Sequence, residues 1–507
     1  MYLLVPVVAI LLVFRWLTRR RLNFPPGPRP DPIIGNLRQM TFDGTQEEMF
    51  AEWRKTYGDV IHASVLGREM VILNSLKAAQ DLMEKRSLNY SCRPRMVLMS
   101  ELMGWDSVIT NMPYGERFRK HRRLIQDHFN QQAALEFRPL QRRESCLLLA
   151  GLLDAPDAFD RHVRRFGAGT IMKIAYGHTV NSVDELYVGL AEDAATDTVK
   201  DLTPGSMLVD FFPALKNLPA WMPGAGFKRR AFKTKVKVRK MLDTPYQMVQ
   251  NTMAAGTAIP SFTSDLIDAN ESGKSSTYDE EDIKGAAGVL YAAATDTTSA
   301  LLVALFLAMT LHPEILQKVQ AELDEVVGSD RLPDFSDRPS LPYLECVIKE
   351  IYRWSAPVPL GIPHRCMKDD EYRGYDIPAD TMVIPNIWAM TRDEDIYLDP
   401  HRFFPERFMN QDPETAEATD PKHLVFGFGR RECPGKFFGD SNIWLVTASV
   451  ISTFSIKKTV GDDGKEVTPL AKFSSGFVRH PDHFPCEIKP RSHKAEELIH
   501  QTLASTA

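Results

Sequence analysis

One of six cysteines (Cys92, Cys146, Cys346, Cys366, Cys433 and Cys486) lies in a stretch whose residue types could do chemistry: Phe426-Gly427-Phe428-Gly429-Arg430-Arg431-Glu432-Cys433-Pro434-Gly435. Glycines at 427, 429 and 435 permit a tight loop and close approach of backbone to a ligand. An apolar helix is expected to start beside Cys433, so its sulfur would lie among free N–H groups at the dipole end that favours an anion. Arg431, two residues away, can reach a carboxylate. Together these features suit a thiolate ligand to iron held in a flat macrocycle. The other cysteines show no CxxC spacing and read as reduced, small, buried apolar residues. A cysteine-protease reading lacks a supporting histidine arrangement.

A second group lies within an apolar run. Ala293-Ala294-Thr295-Asp296-Thr297-Thr298 places a lone carboxylate among hydroxyls in a stretch, 285–311, that carries no other charge. A two-pass membrane protein would put this stretch in lipid, where such a carboxylate is expensive. Within a buried helix beside a redox centre it can instead relay protons. Glu350 and Arg353 share one helix face, and Pro405-Glu406-Arg407-Phe408 follows in a turn-rich segment. Basic residues crowd 114–123, and a Pro363-His364 pair lies downstream.

In this order and spacing the motifs resemble the cytochrome P450 family, over about 25–490. Phe426-x-x-Gly429-x-Arg431-x-Cys433-x-Gly435 matches its haem-binding signature. The resemblance implies haem b ligated by the Cys433 thiolate, with Phe426, Gly429 and Gly435 shaping the cofactor loop; thiolate ligation favours O–O cleavage. It implies that Arg122, His364 and Arg431 bind the haem propionates, and that Asp296 and Thr297 are the catalytic acid–alcohol pair. Glu350, Arg353 and Arg407 match a buried three-charge cluster. Two departures stand out: Ala294 replaces the usual glycine and Phe118 the usual tryptophan. The implied activity is insertion of one oxygen atom from O2 into a lipophilic small molecule, with electrons from an NADPH-cytochrome P450 reductase. A terpenoid or other secondary metabolite is the expected substrate, by resemblance to fungal members. A haem-thiolate isomerase or dehydratase, working without reductase, is the alternative, and the intact Asp296–Thr297 pair argues against it.

The elements that must position these groups are mostly helical. A mainly α cytochrome P450 fold with a small β-rich subdomain and an N-terminal membrane anchor is expected. The 507 residues carry a net charge of −5, with no repeat and no basic stripe interleaved with aromatics, which excludes nucleic acid as a partner. Residues 2–14 are uncharged and are followed by Arg15 and Arg19 to Arg21. They predict a signal anchor over 1–21 in the endoplasmic reticulum membrane, single-pass, with the remainder in the cytosol. A proline-rich hinge, 22–30, acts as a stiff spacer, and 31–507 form one haem-thiolate catalytic domain. Helix is expected over 47–57, a hairpin over 59–66 and 69–73, then helices to about 253. The apolar, basic-flanked stretch 208–227 fits either a loop dipping into the bilayer surface or a packed interhelical loop. Thr277 and Glu280 have capping-box spacing at the head of a helix reaching Leu311, roughly 50 Å long. Further helices are expected over 313–327, 341–354 and 435–454, with short strands within 458–464 and 473–478. Apolar segments 96–109, near 208, 358–362 and 473–477, with Ala293 and Thr297, are the expected substrate pocket. Arg119, Lys120, Arg123 and Lys436 offer a docking face to an acidic electron donor.

Overall fold

Small and aliphatic side chains from Gly285 onward let a long helix sit where neighbours approach from all sides. In the computed structural model, which describes residues 22–40, 46–202, 204–272 and 278–506, this helix is central. The expected anchor and Thr277 lie outside the described residues. In chain order the longer helices are α1 (Gln46–Tyr57), α2 (Glu116–Phe129), α3 (Arg138–Asp154), α4 (Phe159–Tyr176), α5 (Leu186–Asp201), α6 (Pro204–Phe211), α7 (Gly226–Ala254) and α8 (Phe262–Glu271). They continue as α9 (Glu280–Leu311), α10 (Pro313–Val326), α11 (Pro342–Ser355), α12 (Lys436–Thr453) and α13 (His493–Thr506).

The rod is α9, packed against α2, α4, α7, α8, α11 and α12. Among the described residues it alone is long and apolar enough to cross a membrane. Its flanks are covered by protein, so the two-pass alternative is overturned. Asp279, rather than Thr277, caps it: the Asp279 carboxylate accepts from the Asp282 N–H at 2.7 Å. Asp282 then ties α9 to α2, accepting from Arg117 at 2.8 Å, from Lys120, and from His121 Nε2 at 2.9 Å. Burial pushes its carboxyl up, but those donors prevail and hold it near 2.

Two cores meet along α9. Ile283 to Tyr291 pack with α4, α7 and the 97–112 loop, whereas Leu301 to Met309 pack with α10, α11 and α12. Between them, residues 292–297 are not buried, and Ala293 and Asp296 are exposed. An exposed turn amid a buried helix means that the elements around it leave a gap.

The β portion flanks this body. β1 (Val60–Val65) and β2 (Arg68–Leu73) form the expected hairpin, Val60 opposite Leu73. β3 (His364–Arg365), β4 (Asp370–Tyr372), β5 (Tyr375–Ile377) and β6 (Met382–Pro385) follow. Sheet order is β1-β2-β6-β3, with β2 and β6 parallel and β3 antiparallel to β6. The chain ends with β7 (Phe454–Lys457), β8 (Thr459–Val460), β9 (Glu466–Val467) and β10 (Glu487–Pro490), paired β7–β10 and β8–β9. Residues 473–478 form a loop instead of the expected strand, closed by a bridge between Phe473 and Pro481. The proline-rich segment is docked on the body: Pro26 O accepts from His62 N at 2.9 Å and Phe24 stacks on the His62 ring at 4.1 Å.

α11 carries the three-charge cluster at its buried end. Glu350 and Arg353 are both 0% exposed, and Arg353 meets both Glu350 oxygens at 2.8 Å. Arg407 Nε reaches Glu350 at 3.1 Å, and Phe404 N–H donates to it at 2.7 Å. Arg353 also donates to the carbonyls of Thr391 and Pro400. This fastens α11 to the chain leading toward the Cys433 loop. Replacing Glu350 with Ala strands two guanidiniums and should remove about 3–5 kcal/mol of stability. Chemical denaturation and haem content of purified protein measure it, and wild-type values in both would contradict the cluster's role.

Candidate functional site: a thiolate loop ringed by basic side chains

Cys433 is partly exposed, whereas the other five cysteines are buried; all six are free. Burial raises the thiols of Cys146, Cys346 and Cys366 to about 11 and that of Cys486 to about 12. The loop before Cys433 turns at Gly427 (φ 77°) and Gly429 (φ 57°), conformations that favour glycine. A side chain at Gly429 would also meet Met83 O at 2.3 Å. Phe428 is buried, while the Phe426 ring sits edge-on to Tyr352 at 5.5 Å. The Cys433 N–H donates to Phe426 O at 2.7 Å and closes the loop. Burial pushes the thiol up; the Gly435 N–H, Arg122 and Lys436 pull against it. A Cβ at Gly435 would touch nothing within 4 Å, so the backbone there has open space beside it.

Four basic side chains surround this loop. Arg431, at the end of a short turn (Gly429–Arg431), donates to Ser91 O at 2.7 Å, Ile109 O at 3.0 Å and Met112 O at 2.6 Å. Its guanidinium lies 3.7 Å from the centre of the Phe118 ring, so the residue in tryptophan's place supports the cation by its face. Arg122, on α2, donates to Glu432 O and to Gln126 at 3.2 Å. His364, on β3, is buried and its Nδ1 is 2.6 Å from Tyr90 O. Arg93, which sequence reading missed, is equally buried and donates to Thr110 O at 2.8 Å, Ile362 O at 2.7 Å and Pro363 O at 2.9 Å. No motif spacing marks it; an arginine before Pro94 was the available signal.

Among the described residues, none of these four side chains is hydrogen-bonded to a carboxylate. Burial depresses all of them: Arg431 to about 10, Arg122 less, and Arg93 and His364 strongly, each of the last two further opposed by a neighbouring cation. Carboxylates placed among them would reverse those shifts. The donor set therefore fits a flat ligand bearing two carboxylates, with a metal that takes sulfur.

The expected acid–alcohol pair faces the gap in α9. Thr297 Oγ1 donates to Ala293 O at 2.8 Å, and the Asp296 side chain is 53% exposed. Asp296 Oδ1 lies 2.8 Å from His480 Nε2, a contact that a lone loop histidine does not announce in sequence. Ala294 is only partly buried, so its methyl group is accommodated. α9 packs on α12, the helix that Cys433 precedes.

A partly exposed cysteine just before a helix and a ring of basic side chains without a carboxylate partner fit a haem-thiolate protein. The family model described as Cytochrome P450 matches residues 25–486, and the chain belongs to the cytochrome P450 family. It is 43% identical to cytochrome P450 monooxygenase 176 of Postia placenta over 510 residues, covering 99% of this chain and 98% of that relative. It is 39% identical to cytochrome P450 monooxygenase claR of Ampulloclitocybe clavipes, covering 97% and 91%. A cytochrome P450 monooxygenase of Armillaria gallica is 40% identical, covering 98% and 99%. The family uses cysteine-ligated haem with O2 and reductase-derived electrons. Cys433→Ala should abolish the thiolate-type absorbance of the reduced carbon-monoxide complex, since no other side chain at the loop supplies a soft anion. A normal thiolate spectrum from this variant would refute the ligand.

Proposed function

We propose that this protein is a monooxygenase of lipophilic small molecules that draws electrons from an NADPH-cytochrome P450 reductase. The observation that carries the reading is the accessible Asp296–Thr297 pair in the gap between the two cores, on a helix packed against the one that Cys433 heads. Bound there, the haem supplies oxygen reduction and O–O cleavage under the thiolate's electron push. Arg93, Arg122, His364 and Arg431 hold its propionates. Asp296, open to solvent, takes up protons and passes them inward; the Thr297 hydroxyl, anchored on Ala293 O, both accepts and donates. That demand for delivered protons favours the monooxygenase over a reductase-free isomerase. A terpenoid or related secondary metabolite fits the apolar segments 96–109 and 358–362, and the relatives are fungal monooxygenases.

The reductase would dock on the face carrying Arg119 and Arg123, both exposed. Lys120 and Lys436 contribute less, being paired with Asp282 and Glu432. Residues 1–21 would anchor the chain in the endoplasmic reticulum membrane with the catalytic body in the cytosol. Exposed Leu208, Phe212 and Trp221 (78%) support a second contact with the bilayer surface. Of their basic flank, Lys228 folds back onto Lys216 O and Leu218 O, and Arg230 onto Ser206.

With 7-ethoxycoumarin as a lipophilic probe, Thr297→Ala should keep haem and NADPH oxidation but divert electrons to hydrogen peroxide. Asp296→Asn should slow turnover, by up to about 10²-fold, the lower end of general acid–base assistance. Peroxide and product per NADPH measure both, and full coupling at unchanged rate in both variants would refute the relay. Deleting residues 1–21 should move most of the protein to the soluble fraction with its haem spectrum intact. Undiminished detergent dependence in a sedimentation assay would refute the single anchor.

A further inference from the structure

Asp296 is held from outside its own helix. The partner, His480, stands on the 473–481 loop, 184 residues away in sequence. That loop is stiff at its base: Ser474 N–H donates to His480 O at 2.7 Å, and His480 N–H to Ser474 Oγ at 3.1 Å. Arg479 N–H donates to Pro357 O at 2.8 Å, next to the 358–362 segment. Phe473 packs edge-on against Trp354 at 5.2 Å. Beyond this base the tip carries Phe477, which is 55% exposed.

We propose that His480 is a positioning residue for Asp296, joining the acid to a loop that belongs to the expected substrate pocket. This rests on Asp296 being the acid of the relay. An ionised carboxylate only accepts, so Nε2–H is the donor. A half-exposed aspartate on a helix has several rotamers; a donor fixed to a stiff loop base selects one. Displacement of the Phe477 tip by a substrate then reaches Asp296 through one hydrogen bond, so that proton delivery answers to pocket occupancy. His480 touches neither substrate nor haem in this role.

The holoenzyme tests it through His480→Ala, His480→Gln and Asp296→Asn. Glutamine can still donate to Asp296, whereas alanine cannot. With 7-ethoxycoumarin, His480→Ala should raise peroxide formed per NADPH and lower kcat by about tenfold, the scale of one hydrogen bond to a charged group. KM should change little, and His480→Gln should recover most of the loss. Independently of turnover, amide hydrogen exchange over 473–481 should quicken in His480→Ala and in a further variant, Asp296→Ala, each of which removes one partner of the bond, but not in His480→Gln. Wild-type coupling in His480→Ala beside a slowed Asp296→Asn would overturn the role of His480 while leaving the relay. Equal losses in the His480→Ala and His480→Gln variants, or exchange unmoved by Asp296→Ala, would also overturn it. Full coupling in Asp296→Asn would instead remove the relay on which the proposal stands.

Discussion

Burying positive charge without a counter-charge is unfavourable, and that constraint organises the site. Arg93, Arg122, Arg431 and His364 come from four separate parts of the chain and converge around one loop, satisfied by carbonyl oxygens alone or with an amide oxygen. Carbonyl dipoles satisfy donors but do not neutralise charge. Burial lowers the basicity of all four. A ligand carrying carboxylates would relieve this, and the nearby Cys433 sulfur would hold the metal. Phe118 fits the same logic: the aromatic face under Arg431 stabilises the cation without competing for its donors.

The second organising fact is that α9 belongs to two cores and to neither in its middle. Had Ala293 to Thr297 been covered like the turns on either side, the helix would be an ordinary core rod. Instead the flanking clusters stop at Tyr291 and resume at Leu301. The one charged residue, Asp296, stands where covering is absent, which avoids its burial penalty. Position along the helix thus separates structural from chemical residues more sharply than residue type does.

Much of this was legible in the sequence, for physical reasons that can be named. The Cys433 loop was readable because glycine, arginine and cysteine at fixed spacing answer local backbone demands. Helix α9 was readable because small and aliphatic residues persist beyond any ordinary turn. The Glu350–Arg353 pair was visible as a helix-face spacing, although its burial was supplied by the resemblance. What escaped was set by contacts between distant segments. Arg93 and His480 are single residues with partners as far as 270 and 184 positions away, so no local pattern marks them. The cap of α9 moved to Asp279 because several acidic residues in a row each satisfy the local rule. Residues 473–478 alternate like a strand but have no partner strand, only a one-residue bridge. The 22–30 segment reads as a free spacer by composition, and its docking rests on Asn36, His62, Gly374 and Asp376, which no local pattern announces.

The two buried charge clusters make a final contrast. Around Glu350 the protein provides its own carboxylate, so the cluster is complete as soon as α11 meets Arg407. Around Cys433 the nearest carboxylate, Glu432, is taken by Lys436, and among the described residues the four basic side chains meet none. The first cluster therefore contributes to folding unconditionally, and the second contributes only when its anion is present. By linkage, a ligand that binds the folded chain alone stabilises it, and here the linkage acts on the segments that β3, α2 and the 91–112 stretch bring together. The haem is consequently part of what makes those segments cohere. The same argument explains why Arg431 is tied to three carbonyls from that stretch: they fix the cation's position before any carboxylate arrives, so binding does not have to order it.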